Sequence, residues 1–358
     1  MRVAVVTPRF PPDPGGVEQY AAWVAGTLRD AGHEVVVVTT GRGRRLTRTD
    51  HDGIPVVRLG TWLTLSNTPV NPLWARQLRR LLRDADAVNA HAPVPGLADL
   101  AVLASGRPVV LTYHAGSLAK GSAVDPLLRA YERHVLPRVF RRSAALVAVS
   151  PVSLAHATGR ARLIPPGVDG DLFSPGDEPR DHTVLYVGRI ERTSRWKGLH
   201  VLVDALPRLR ELVPDVRLAV VGDGDDVTTL QKQAAELGVA DLVDWHGRVA
   251  HDELPAYYRR AGVTVLPSLT ESESFGMTLA EALACGCPVV GSDVGGIPFV
   301  VRDGIDGRLV PPGDPAALAD GLAAVLLSPT TVEPSRWDWR QRVAATLDVV
   351  EGVTEGVA

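Results

Sequence analysis

Cysteine is nearly missing from this chain of 358 residues: Cys285 and Cys287 are the only two. They are too close together for an unstrained structural staple and have no His or Cys partners at metal spacing. A disulfide scaffold and a zinc module are excluded, and a reducing compartment is favoured. Aromatic residues are scarce at 5%, which decides little. No window approaches the roughly 20 apolar residues of a membrane-spanning helix. The opening MRVAVVTPRF is a short β-branched run rather than a charged, apolar, cleavable leader. A cytoplasmic protein is the expectation. There is no internal repeat or low-complexity tract, and 45% hydrophobic with 22% charged residues is ordinary for a globular chain.

The length suggests two domains. The net charge of −3 conceals an asymmetry: residues 1–172 carry 21 Lys and Arg against 13 Asp and Glu, and the remainder 17 against 28. The basic N-terminal half points to an anionic partner, a phosphorylated acceptor or a membrane surface. Arg42, Arg44, Arg45 and Arg48 form one cluster, and Arg76, Arg79, Arg80 and Arg83 another. In WARQLRRLLRD the arginines and leucines fall on different helical faces, as in an interfacial helix and equally in one packed on its own domain.

Strand and helix patterns alternate along the whole chain. VAVVT, a Gly-Gly loop, VEQYAAWVAGTLRDAG and HEVVVVTT make a first β-α-β unit, followed by PVVRL, AVNAH, PVVLTYH and ALVAVS. A second series runs TVLYVGRI, RLAVVGDG, VDWHG, VTVLPS, PVVGSDV and GRLVPP. Continuous Val-rich runs are the mark of parallel strands buried on both faces, so two doubly wound sheets are expected. The boundary falls in GVDGDLFSPGDEPRDH, giving domains 1–172 and 173–334, and the segment 335–358 reads as a closing helix that returns to the first domain.

Ligands of such sheets bind beyond the carboxyl ends of the strands. After the first strand, Gly15 and Gly16 would let backbone approach a ligand at a helix start, although the full G-x-G-x-x-G fingerprint is missing. His114 ends PVVLTYH, where a strand yields to a loop; a lone His, like His91 at the end of AVNAH, is more often structural than chemical. VGRIERTSRWKGLH places Arg189 and Lys197 ahead of a helix, two cations suited to a pyrophosphate, with Arg192 and Arg195 expected to be solvated. Gly222, Asp223 and Gly224 end RLAVVGDG, and Asp223 with Asp225 is weak evidence of a metal, so none is expected. In ESESFGMTLAEALACGCPVVGSDVGG, Glu273 and Ser274 lie in a loop, Gly276 opens a helix, and Gly286 with Pro288 ends it. Glu281 sits about two turns from Glu273. In isolation such a pair is usually two solvated carboxylates.

These loops together resemble glycosyltransferase family 4. GG after the first strand, TYH, VAVS, PPGVD, VGRI with WKG, VGDG, E-x7-E and GRLVPPGDPAALA occur in the family's order over nearly the whole chain. The resemblance implies the GT-B fold, two Rossmann-like α/β domains facing a central cleft, the first for the acceptor and the second for the donor. It implies a nucleotide-diphosphate sugar donor, transfer with retention of anomeric configuration, no cofactor and no obligatory metal. Arg189 and Lys197, with Gly188 and Gly222 beside them, would hold the diphosphate. Glu281 would bind the ribose hydroxyls. Glu273, Ser274, Met277 and the amides of Phe275 and Gly276 would hold the sugar, and Gly15 and Gly16 would approach donor or acceptor. His114 would lie near the anomeric carbon, and acceptor specificity would come from loops 60–72 and 114–124.

Three positions depart from the family pattern. Phe299 follows Gly295, Gly296, Ile297 and Pro298 where an acid is usual, Pro166 replaces Asn ahead of Gly167, and the Arg189 to Lys197 segment is long. The runner-up reading is a nucleotide-sugar-binding protein or epimerase without transferase activity. The Rossmann dehydrogenase fingerprint is missing, and diffuse basic patches are no case for nucleic acid.

Overall fold

The computed structural model describes residues 1–13, 15–65, 68–118, 124–328 and 331–355. Residues 66–67 and 119–123 of the two expected acceptor loops, and 356–358 of the closing segment, lie outside the described residues. The chain divides into two compact units, Met1–Pro166 with Arg340–Ala358, and Gly167–Trp339.

In the first unit the apolar runs become β1 (Arg2–Val6), β2 (Glu34–Thr40), β3 (Thr47–His51) and β4 (Ile54–Leu59). A small hairpin follows, β5 (Leu63–Leu65) and β6 (Thr68–Val70), then β7 (Ala87–Ala92), β8 (Val109–Tyr113), β9 (Ala145–Ala148) and β10 (Ala161–Leu163). The large sheet has the order β10-β9-β8-β7-β1-β2-β4-β3, parallel except where β3 runs antiparallel to β4. β3 escapes a hydropathy reading because Thr-Arg-Thr-Asp-His is polar and lies on the exposed edge, held by backbone pairing. β1 is central and the order reverses on either side of it, so the crevice of this unit opens between the carboxyl ends of β1 and β7.

The second unit holds β11 (Thr183–Val187), β12 (Arg217–Val221), β13 (Val243–Gly247), β14 (Val263–Leu266), β15 (Val289–Ser292) and β16 (Gly307–Val310). Their order is β13-β12-β11-β14-β15-β16, all parallel. This is the doubly wound dinucleotide-fold order, with its switch point between β11 and β14.

The unit boundary lies at Pro166, ahead of the expected 172, because the chain is already paired into the second unit there. Val168 N–H donates to Trp337 O at 2.7 Å, and Trp339 N–H to Val168 O at 3.0 Å. A Cβ on Gly167 would run into the backbone of Trp339, so this crossing demands glycine. The closing segment is split. A short 3-10 turn, Pro334–Trp337, stays with the second unit, where Trp337 meets Phe275 and Phe299 edge to face at 5.1 and 5.7 Å. The helix Trp339–Glu355 then packs in the first unit: Val350 joins the core around Val3, Tyr20 and Val24, and Tyr20 and Thr346 share a buried hydrogen bond of 3.0 Å. A buried Val of this kind is worth about 1.5–3 kcal/mol.

Candidate functional site

The switch point of the second unit assembles the expected donor residues. β11 runs out into Gly188 and Arg189. Arg189 is exposed and makes no hydrogen bond or ion pair among the described residues. The chain then turns through Arg192–Lys197 and enters the helix Leu199–Leu212 across Gly198. Gly198 has φ +76°, and a Cβ there would meet the carbonyl of Pro267 just beyond β14. That close approach, sealed by Leu269 N–H donating to Trp196 O at 2.7 Å, brings Lys197 onto the loop after β14. Lys197 Nζ lies 3.0 Å from Glu273 Oε2, and the two side chains are 20% and 12% exposed. The ammonium also stands 4.7 Å from the centre of the Trp196 ring.

The Glu273 loop is held from behind by the next glycine pair. Cβ atoms on Gly295 and Gly296 would collide with the carbonyls of Glu273 and Ser274, and Gly296 N–H donates to Glu273 O at 2.8 Å. Phe299 fills its place by packing: it meets Phe275 at 6.3 Å, and its carbonyl accepts from Arg336 at 3.3 Å. Gly276, at φ +94°, caps the helix Met277–Ala284. The amides of Phe275 and Gly276 make no hydrogen bond among the described residues, which leaves donors at a helix start for a hydroxyl-rich ligand.

Glu281 is not a solvated partner of Glu273. It is 8% exposed, accepts from the Tyr258 hydroxyl at 2.8 Å, and lies 3.6 Å from His251 Nε2. The hydrogen bond to Glu281 raises the His251 pKa, and burial raises that of Tyr258. Sequence reasoning missed both partners; HDELPAYYRR looks like an ordinary amphipathic helix, and nothing in it marks the two residues that meet Glu281. Gly188 and Gly222 lie against each other, since a Cβ on Gly222 would strike Gly188 O. Arg195 is exposed, as expected of a solvated residue, and also pairs at 2.9 Å with Asp226, whose side chain is 5% exposed. Asp223 and Asp225 accept backbone amides of Gly224 and Arg192, both at 2.8 Å.

In the first unit, Gly15 caps and Gly16 begins the helix Gly16–Asp30 after β1. His114 follows β8, tied by its amide to Ala92 O at 2.9 Å. Its Nε2 lies 3.0 Å from Nδ1 of His91, and the Tyr20 ring stands edge-on to both imidazoles. Burial pushes the His114 pKa down to about 3 and that of His91 well below its ordinary value. His114 is thus a neutral imidazole at physiological pH. In the helix Trp74–Leu81, Trp74 and Leu78 are buried while Arg76, Arg79 and Arg80 are exposed, so its apolar face is taken up by its own unit. No helix among the described residues is long and apolar enough to cross a membrane. Cys285 and Cys287 are buried free thiols, pushed up by burial to about 12 and about 11.

Two doubly wound parallel sheets with cations and glutamates gathered at a switch point have close counterparts among known proteins. Residues 14–172 match the profile described as Glycosyltransferase Family 4, and residues 171–344 that described as Glycosyl transferases group 1. The GDP-mannose-dependent alpha-(1-6)-phosphatidylinositol monomannoside mannosyltransferase of Mycolicibacterium smegmatis is 31% identical, covering 98% of each chain. The D-inositol 3-phosphate glycosyltransferase of Thermobifida fusca is 31% identical over 94% of this chain and 85% of its own. Among solved structures, Anabaena HepE in complex with UDP superposes with a TM-score of 0.74 at 21% identity, over 98% of this chain and 100% of that one. The protein is a glycosyltransferase of the GT-B fold. It belongs to glycosyltransferase family 4.

Proposed function

We propose that this enzyme transfers a hexose from a nucleotide-diphosphate sugar to a hydroxyl of an inositol-bearing, phosphate-carrying acceptor, with retention and without an obligatory metal. The observation that carries the donor reading is the Lys197–Glu273 pair at 3.0 Å at the switch point of the second sheet, where β11 also ends in Arg189, a cation with no ion pair among the described residues. Arg189 and Lys197 stabilise the charge that builds on the diphosphate as the sugar leaves, the part a metal plays in other transferases. Glu273 and the amides of Phe275 and Gly276 orient the sugar, Glu281 takes the ribose, and His114 is the first unit's candidate contact with the substrate. Gly15 and Gly16 admit the acceptor or approach the diphosphate. The retained configuration follows from attack on the face that the leaving phosphate departs, with that phosphate taking the acceptor's proton. The acceptor class is supported by the relatives, whose names join inositol with phosphate, and by the basic N-terminal half.

A panel of GDP-, UDP- and dTDP-sugars scored by thermal shift tests the donor. A ligand at about 100 times its Kd stabilises by about 2.7 kcal/mol; GDP-mannose is expected to give the largest shift and to support transfer to an inositol phosphate or phosphatidylinositol in the presence of EDTA. No shift with any donor would remove the reading.

Location in the cytoplasm, with peripheral contact to an anionic membrane, is a second reading. It is favoured by exposed Trp62, Leu63 and Leu73, 50%, 56% and 46% accessible, which lie in and just after the hairpin leading into the arginine-bearing helix. Co-sedimentation with anionic vesicles that weakens with salt is expected, and its failure at low salt would leave a soluble acceptor.

A further inference from the structure

On the first sheet, Val5, Val37, Val110 and Val147 share a core cluster with Tyr20 and Val24 of the helix Gly16–Asp30. Side chains two places further along a strand point to the same face. Thr39, His91 and Thr112 therefore stand on this face at the carboxyl ends of β2, β7 and β8, with Asn89 one step behind; His91 and Thr112 are partners in register. All four are buried. Thr39 Oγ1, Thr112 Oγ1, both amide atoms of Asn89 and His91 Nε2 have no hydrogen-bond partner among the described residues. What His91 does make is a single bond outward, from Nδ1 to His114 Nε2 at 3.0 Å, with the rings inclined by 27° and both capped by the edge of Tyr20.

Two neutral imidazoles sharing a hydrogen bond define each other's tautomer. If His114 donated from Nε2, His91 would carry its own proton on a buried Nε2 with no acceptor. An orphaned N–H is rarer in folded proteins than an orphaned lone pair, because its desolvation is uncompensated. The opposite arrangement leaves a lone pair there: His91 donates from Nδ1, His114 accepts at Nε2, and His114 holds its proton on Nδ1, which has no partner among the described residues.

We propose that His91 is a positioning residue for His114, holding its ring in place as the Nδ1–H tautomer so that it offers a hydrogen-bond donor to a substrate oxygen. The proposal rests on the reading of His114 as a substrate contact. As a neutral donor His114 does not act as the base for the acceptor hydroxyl; it orients an oxygen, and the proton leaves with the phosphate. Burial of both rings keeps the pair uncharged.

Long-range 1H–15N spectra of the full-length wild type report the tautomer directly: His114 is expected to show a protonated Nδ1 and a bare Nε2. A protonated Nε2 overturns the proposal even if no variant folds. In His91→Leu, kcat is expected to fall about tenfold to a hundredfold, the scale on which losing an orienting partner acts, with the donor KM nearly unchanged. In His91→Asn the side-chain amide nitrogen takes the place of Nδ1 and should restore most of the loss. Wild-type kcat in His91→Leu, or equal losses in the Leu and Asn variants, sinks the positioning role. A His114→Ala enzyme with wild-type kcat would instead overturn the reading of His114, and the role of His91 with it.

Discussion

Replacing Lys197 with alanine, alone and together with Glu273→Gln, separates charge stabilisation from folding. Lys197 Nζ stands 3.0 Å from Glu273 Oε2, and both side chains are largely covered. In surroundings of effective dielectric constant about 20, unit charges about 4 Å apart interact by about 4 kcal/mol before desolvation is counted. On the proposed reading, a diphosphate oxygen that gains charge as the sugar leaves draws on this ammonium more strongly in the transition state than in the ground state. Losing a comparable fixed donor costs about 2.7–4 kcal/mol, or about 10²–10³ in kcat. The substitution also strands the Glu273 carboxylate, at about 1–3 kcal/mol of stability, and each kcal/mol moves Tm by about 2–4 °C in a domain of this size. Adding Glu273→Gln removes the stranded charge, so the double variant should regain Tm while transfer stays slow. Initial rates at saturating donor, read beside thermal melts, provide the assay. Turnover within about tenfold of wild type in Lys197→Ala, or recovery of rate together with Tm in the double variant, would refute the phosphate assignment.

Gly198→Ala must hold an L-residue at φ +76° against the Pro267 carbonyl; a loss of at least about 2 kcal/mol in urea unfolding is expected, and a loss below about 0.5 kcal/mol would show that the two loops can part without strain. Acid should weaken the first unit early. The folded-state pKa of His114 is about 3, below its unfolded value of about 6.5, so its contribution is present above about pH 6.5 and is lost as pH falls towards 3. Between about pH 7 and 5 it alone should remove about 2 kcal/mol, and His114→Gln should flatten that part of a stability profile. Tyr20→Phe removes the buried hydrogen bond to Thr346, whose hydroxyl still donates to Arg342 O, and should cost about 0.5–1.5 kcal/mol; an unchanged midpoint in denaturant would mean that the closing helix is held by its apolar face alone.

The strands that form the two sheets are legible because both faces of a parallel strand are covered, and VAVV, VVVV and AVV leave no polar face to confuse the reading. The glycine-marked loops were legible for a related reason: Gly198, Gly295 and Gly296 stand where backbone meets backbone, and no other residue fits there. What escaped depends on partners distant in sequence. Arg195 is solvated, but its pairing with Asp226, 31 residues on, is not visible from RTSRWKG. Tyr258 and His251 reach Glu281 from an unremarkable helix start. His91 looked like a lone histidine, and its meaning appears only when β7 and β8 lie side by side and put His114 within hydrogen-bonding distance. The compact units part at 166, six residues ahead of 172, because Val168 is already paired with Trp337 and Trp339, a pairing that composition does not reveal.

Two glutamates eight residues apart could serve one acid-base pair, yet their surroundings divide them. Glu273 lies in a loop ahead of the helix, its carboxylate turned to a lysine from the neighbouring strand's exit. Glu281 lies within the helix, buried, with its oxygens towards a tyrosine and a histidine. A general acid and base must reach the same reacting atoms, whereas these two are fixed by different elements and different charge environments. Such an arrangement suits a long ligand with unlike ends: one end meets a carboxylate whose charge is balanced by Lys197, the other a carboxylate oriented by neutral Tyr258, with Arg189 and Lys197 available for the anionic stretch between. A nucleotide-diphosphate sugar has that order of parts, which is why the charge chemistry of the proposed transfer belongs to the cations and the glutamates are left to hold its two ends.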